Sequence, residues 1–150
     1  MAKTQTEAIY ADSSFLISLY SPDAHSMSAT RAMLLSPRGV LITNLVKLEV
    51  INALRQRVFW KQITDTEARR SLAAFEKNEA DGAFRAAPLS AEAFGRAATI
   101  ANRTTASLGT RSIDLLHVAC ALELGATSLY SFDERQRRLA HAMHLKLNPI

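Results

Sequence analysis

The sequence predicts an α/β fold, a parallel β-sheet covered by helices on both faces. Three observations predict it. Short apolar runs alternate with segments of helical length and pattern along the chain. Within the runs successive residues are apolar, as in strands buried on both faces. Only 5 Gly and 4 Pro punctuate 150 residues, so regular structure should dominate.

The elements follow in order. Residues 8–11 (AIYA) are a short apolar run that stops at Asp12, and they read as a buried strand. Residues 13–20 look helical, and Pro22-Asp23 opens a second helix to about Leu35. Pro37-Arg38-Gly39 is a turn. Residues 40–43 are the second strand, and Asn44 is placed to cap a helix reaching about Trp60. Thr64 followed three residues later by Glu67 matches a capping box, which starts a helix running to about Asn78. Residues 84–89 are the third strand. Ser90 starts a helix through about Thr105, and Ser112 caps another over residues 113–124, ended by Gly125. Residues 127–131 are the fourth strand, Asp133 begins a helix to about His144, and residues 145–148 are a last short strand. No repeat, low-complexity tract or linker interrupts the series, and the length suits one domain over residues 1–150.

Composition narrows the function classes. With 48% apolar and 21% charged residues the chain is not of the disordered type. The single cysteine, Cys120, excludes an internal disulfide and a multi-cysteine zinc site. No apolar run approaches the ~20 residues that span a membrane. Residues 1–7 lack the apolar core of a signal peptide, so the expected location is the cytoplasm. Basic residues exceed acidic ones, 18 to 14, and 13 of the 18 are arginine. Guanidinium groups bind phosphates bidentately, so the excess permits a nucleic-acid partner.

The minority acids stand in informative places. In parallel sheets ligands bind beyond the carboxyl ends of the strands. Asp12 follows the first strand and Asp133 the fourth, while Glu49 and Asp114 lie on helices in apolar sequence. The helical neighbours of Glu49 are Leu45, Val46, Asn52 and Ala53, none of them basic. Its carboxylate therefore either reaches solvent or needs a cation, a hydrogen-bond network or a raised pKa. Asp114 falls in a first helical turn, where the macrodipole favours it, with Arg111 three residues before. Asp133 reads as an N-cap with Gln136 as its capping-box partner and Arg137 four residues on, and Asp12 can cap the helix that follows it. Taken together, the four can converge at one edge of a parallel sheet. A divalent cation is the natural neutraliser there, and all-oxygen ligation suits Mg²⁺ or Mn²⁺.

Four stretches carry a resemblance: residues 9–17 (IYADSSFLI), 46–54 (VKLEVINAL), 113–122 (IDLLHVACAL) and 129–135 (LYSFDER). In this order and spacing they resemble the PIN-domain nucleases, especially the VapC-like toxins of bacterial toxin–antitoxin pairs, over nearly the whole chain. The resemblance implies a three-layer α/β/α fold with a central five-stranded parallel sheet. It implies a Mg²⁺- or Mn²⁺-dependent endoribonuclease, usually a homodimer, held inactive by a cognate antitoxin. It maps the family's acidic pocket onto Asp12, Glu49, Asp114 and Asp133, with Glu134 able to share or replace the last. The family's small hydroxyl residue before the last acid maps onto Ser131, and the asparagine often found two residues after the first acid is Ser14 here.

Other residues gather around this set. Ser13 and Ser131 are candidates to orient carboxylates or water, against the plainer role of bonding nearby backbone. His117 lies on the helical face of Asp114 and reads as a hydrogen-bonded core histidine rather than a base. Arg111, Arg135, Arg137 and Arg138 flank the last two acids and are candidates for RNA phosphate contacts, against a merely solvated face. The helix with Ala68, Leu72, Ala73 and Phe75 and the helix with Phe15, Leu16 and Leu19 are core by default and dimer or antitoxin surfaces otherwise. A signalling receiver would need an acid ending the second strand, which Thr43 is not, and a phosphotransfer hydrolase a second Asp where Ser14 stands. The remaining alternative is a catalytically inactive RNA-binding or scaffold protein of the same fold, which the presence of all four acids disfavours.

Overall fold

The computed structural model describes residues 7–150. The signal-peptide expectation concerns residues outside these, apart from Glu7. The sheet contains β1 (Ile9–Ala11), β2 (Val40–Thr43), β3 (Phe84–Ala87), β4 (Ser128–Tyr130) and β5 (Lys146–Leu147). Between them run α1 (Ser13–Tyr20), α2 (Ser26–Leu35), α3 (Asn44–Phe59), α4 (Asp65–Ala80), α5 (Ala91–Leu108), α6 (Ser112–Glu123) and α7 (Glu134–Ala142). The strand order is β3-β2-β1-β4-β5 and every pairing is parallel. This is the five-stranded parallel sheet that the sequence led us to expect.

Topology dictates the layering. Crossovers between parallel strands are right-handed. The chain steps from β1 to β2 to β3 in one direction, so α1–α4 fall on one face. It then returns past β1 to β4 and on to β5, so α5–α7 fall on the other. The packing agrees: α1 touches α2, α3 and α4, whereas α5, α6 and α7 touch one another. Every side chain of β1 and β2 is buried, as unbroken apolar runs between two helical layers must be. Tyr10, Leu41, Ile42 and Leu129 fill the sheet's interior, with Phe15, Val46, Val118 and Leu139 packed on it from the helices.

The reversal of direction falls between β1 and β4, which pair in register Ile9 to Ser128, Tyr10 to Leu129 and Ala11 to Tyr130. A crevice opens at the carboxyl ends of strands on either side of such a point. Asp12 and Ser131 are the first residues past those two ends, and the Asp12 N–H donates to Tyr130 O at 3.0 Å.

Several boundaries differ from the expected ones, each for a local reason. The helix expected from Pro22-Asp23 starts at Ser26, because Asp23 folds a turn: its Oδ1 accepts from the His25 N–H and its N–H donates to Ser26 Oγ, both at 2.8 Å. Thr43, not Asn44, caps α3, its hydroxyl accepting from the Val46 N–H, while Asn44 Oδ1 accepts from the Leu89 N–H across the sheet edge. The cap position of α6 is Arg111 rather than Ser112. β3 stops at Ala87 because Pro88 has no N–H to extend the ladder. α5 continues to Leu108 and ends where Gly109 turns left-handed at φ 63°. Ala68, Phe75, Phe15 and Leu16 are core, and the most exposed large apolar side chains include Leu34 and Leu35 of α2 and Phe59 at the end of α3, with Trp60 beside it.

The capping box at Thr64 forms as expected, with Thr64 Oγ1 accepting from the Glu67 N–H at 3.1 Å and Glu67 Oε2 accepting from the Thr64 N–H at 2.7 Å. Thr64→Ala is expected to lower unfolding stability by about 1 kcal/mol, read by denaturant titration. An unchanged midpoint would show that this cap does not hold α4.

Candidate active site

Asp12 sits at the end of the central strand and is only 2% exposed. Its Oδ1 accepts from the Phe15 N–H at 2.9 Å, which caps α1, and from Ser14 Oγ at 2.7 Å. Its Oδ2 accepts from Ser131 Oγ at 2.6 Å and Gln136 Nε2 at 2.7 Å. Burial raises the pKa of this carboxyl above the ordinary 3.8, opposed by His117 and by the hydrogen bonds from Ser131, Phe15 and Ser14.

Asp133 joins this network through the backbone. Its N–H donates to Ser131 Oγ at 3.0 Å, while its Oδ1 caps α7 by accepting from the Arg135 and Gln136 N–H groups. Gln136, expected as a capping-box partner, turns its side chain to Asp12 instead. Arg137 does not turn to Asp133: its Nη1 donates to Ser131 O, Asn148 O and Asn148 Oδ1 at 2.9–3.1 Å. It holds the loop after β4 to the end of the chain, so this nitrogen is already committed. Glu134 is exposed on the first turn of α7.

Asp114 is wholly buried on α6. Its Oδ2 accepts from the Arg111 N–H at 3.0 Å and from Arg111 Nε at 3.0 Å, and its Oδ1 accepts from Arg111 Nη2 at 2.9 Å. The same Nη2 donates to Asp133 Oδ2 at 2.8 Å. One guanidinium therefore bridges two of the acids. Hydrogen bonding to Asp114 raises the arginine's already high pKa further. Arg135 and Arg138 are exposed, and among the described residues neither enters an ion pair.

Glu49 finds the partner that its own helix lacks. Its Oε1 lies 2.5 Å from His117 Nε2, and His117 Nδ1 lies 2.9 Å from the Tyr10 hydroxyl, which reaches Thr43 Oγ1 at 3.3 Å. A carboxylate can only accept, so the proton at Nε2 is the one shared with Glu49. This places a buried chain of polar atoms between β1, β2, α6 and α3. It also makes His117 the hydrogen-bonded core histidine that the sequence suggested.

The structure thus links Asp114 to Asp133 through Arg111, and Asp133 to Asp12 through Ser131, while Glu49 meets His117, three residues beyond Asp114. The two hydroxyls that donate to Asp12 are those of Ser131 and Ser14, not that of Ser13. Gln136 and Asn148 were missed, because nothing local to either marks it as facing Asp12 or the Ser131 N–H. Beside Asp133 lies a cavity of about 340 Å³ lined by Ser14, Asp23, Arg57, Phe132 and a His25 ring stacked on Phe132.

The donor set is all carboxylate oxygen, the chemistry of Mg²⁺ and Mn²⁺ rather than zinc, and the place of a cation between Asp114 and Asp133 is taken by Arg111. As the side chains lie, no three metal-binding groups among the described residues are near enough to share one ion. Set against known families, the chain matches the PIN domain model over residues 9–142. The chain belongs to the PIN domain family. No curated protein matches it. Among solved structures it is similar to VapC20 of Mycobacterium tuberculosis, a sarcin-ricin loop cleaving toxin, at 21% identity and TM-score 0.72, covering 95% of this chain and 100% of that one. A toxin–antitoxin complex from Klebsiella pneumoniae gives 16% identity and TM-score 0.60 over 85% and 87% of the chains. A Pyrobaculum aerophilum protein gives 16% and 0.62 over 91% and 87%. At these identities the likeness shows a shared fold. Among the described residues no helix of this PIN domain is long and apolar enough to cross a membrane.

The raised pKa of Asp12 has a signed consequence. A carboxyl with a higher pKa folded than unfolded favours the fold below the unfolded value, and that contribution is lost as pH rises through the folded value. In chelator, the unfolding free energy of wild type minus that of Asp12→Asn should fall as pH climbs from about 3.8 and then level off. A difference that grows with pH would contradict the burial argument.

Proposed function

We propose that the chain is a metal-dependent endoribonuclease acting as the toxin of a toxin–antitoxin pair, with Asp12, Glu49, Asp114 and Asp133 as its acidic site. The observation that carries this is the linking of three carboxylates from separate segments of a PIN fold, Asp114 to Asp133 through Arg111 and Asp133 to Asp12 through Ser131. The nuclease reading follows from the family. The toxin reading rests on likeness to structures described as a toxin and as a toxin–antitoxin complex.

The donor chemistry suits Mg²⁺ or Mn²⁺ held by Asp12, Asp114 and Asp133, with Glu49 directly or through water. What such an ion supplies is charge neutralisation at a phosphodiester and acidification of water. The protein's own groups do the rest. Ser14, Ser131 and Gln136 fix both oxygens of Asp12, so its orientation is set before substrate arrives. Tyr10 holds the His117 ring, whose Nε2 in turn holds Glu49. Arg135 and Arg138 offer uncommitted guanidinium groups beside Asp133 for the RNA backbone. The exposed Leu34, Leu35, Phe59 and Trp60 supply apolar surface for a second copy, as a homodimer, or for a cognate antitoxin. A cytoplasmic location fits such an RNA substrate.

Purified protein is expected to cut RNA internally with Mg²⁺ or Mn²⁺, and to stop in excess chelator. Asp12→Asn should lower the rate by roughly two orders of magnitude or more, measured on labelled RNA. Full activity in chelator, or in Asp12→Asn, would contradict the proposal. Binding of RNA with neither cleavage nor Mn²⁺ uptake would favour the inactive RNA-binding alternative. An Arg135/Arg138 double mutant to glutamine should flatten the salt dependence of RNA binding by about one to two contacts. An unchanged slope would remove those two residues from the interface.

A further inference from the structure

The guanidinium of Arg111 occupies the point where Asp114 and Asp133 face each other. It takes both oxygens of Asp114 and Oδ2 of Asp133, at 2.8–3.0 Å. Among the described residues no other cation pairs with either carboxylate. Lone pairs directed at guanidinium protons are not available to a metal ion. As the side chains lie, these two carboxylates face the guanidinium rather than open space.

We propose that Arg111 is a resident counter-cation that a divalent ion must displace, so that this one residue sets the metal affinity of the site. The inference rests on the reading of the acids as a metal site. Three features of the geometry support it. First, a single positive charge faces Asp114 and Asp133, with the Asp12 network adjoining through Ser131, so a divalent ion is the better electrostatic match. Second, Arg111 can leave: its side chain is 48% exposed, whereas that of Asp114 is 1% exposed. Third, Asp114 stays in place when the guanidinium goes, because the Arg111 backbone N–H also donates to its Oδ2. That bond belongs to the helix start and survives any side chain at position 111 other than proline. Holding the acid and competing for it are thus separable roles of one residue.

The opposite role, in which Arg111 positions the acids for the ion, predicts the opposite sign. Mn²⁺ is titrated calorimetrically into metal-free full-length wild type, Arg111→Gln and Arg111→Lys, without RNA. If the arginine-free arrangement is populated about one-tenth of the time in wild type, Arg111→Gln should bind Mn²⁺ about tenfold more tightly. Arg111→Lys, which keeps the charge but not the bidentate fork, should fall between. In chelator Arg111→Gln should melt below wild type, and Mn²⁺ should raise its melting temperature by more. Equal or weaker Mn²⁺ binding by Arg111→Gln, with wild-type circular dichroism, would overturn the inference and leave the nuclease reading standing. Mn²⁺ binding by none of the three proteins would overturn both. If Arg111→Gln folds only with Mn²⁺, the Arg111→Lys comparison decides, and affinity at or below wild type again overturns the inference.

Discussion

The carboxylate of Asp12 lies out of water at the end of the central strand, and much of the crevice is arranged around that fact. A buried carboxylate without partners is strongly unfavourable. Here four donors meet its two oxygens: one backbone N–H from α1, two hydroxyls and one side-chain amide. They come from both sides of the β1–β4 pairing, so Asp12 ties the start of α1 to the loop after β4 and to α7. The parallel register Ala11 to Tyr130 brings those parts together. A slip of one residue would reverse the faces of β1 and β4 and separate Asp12 from Ser131.

A second polar chain runs beside the first. Thr43, Tyr10, His117 and Glu49 link the end of β2, the middle of β1, α6 and α3. No buried side-chain nitrogen or oxygen among the described residues lacks a partner. Interiors with complete polar networks hold one arrangement, because partial rearrangement strands a polar atom. The site is accordingly rigid at Asp12 and Glu49 and adjustable at Arg111, whose side chain is half exposed.

The sheet, its parallel sense and the placing of acids at strand ends were legible in the sequence because they depend on local pattern. The runs IYA and VLI are apolar throughout, and only a doubly covered strand tolerates that. The capping box at Thr64 was legible for the same reason. What was not legible depends on contacts far apart in the chain. Glu49 plainly lacked a partner on its own helix, yet nothing in the sequence named His117, 68 residues on, as the group that meets it. Gln136 looked like the return half of a capping box and instead reaches Asp12, 124 residues away. Ser14 could have been found, since it stands where the family often has asparagine. The helix starts at Ser26 and at Ser112 were displaced by side chains that satisfy backbone groups early, a competition that propensity does not resolve.

The decisive property is whether these acids gather a divalent ion at the β1–β4 crevice. Anomalous diffraction from crystals of the protein soaked in Mn²⁺ tests it most directly. One or more manganese peaks bounded by Asp12, Asp114 and Asp133 are expected, with the Arg111 side chain turned out toward solvent. Crystals without manganese in the crevice, with Arg111 still bridging Asp114 and Asp133, would contradict it.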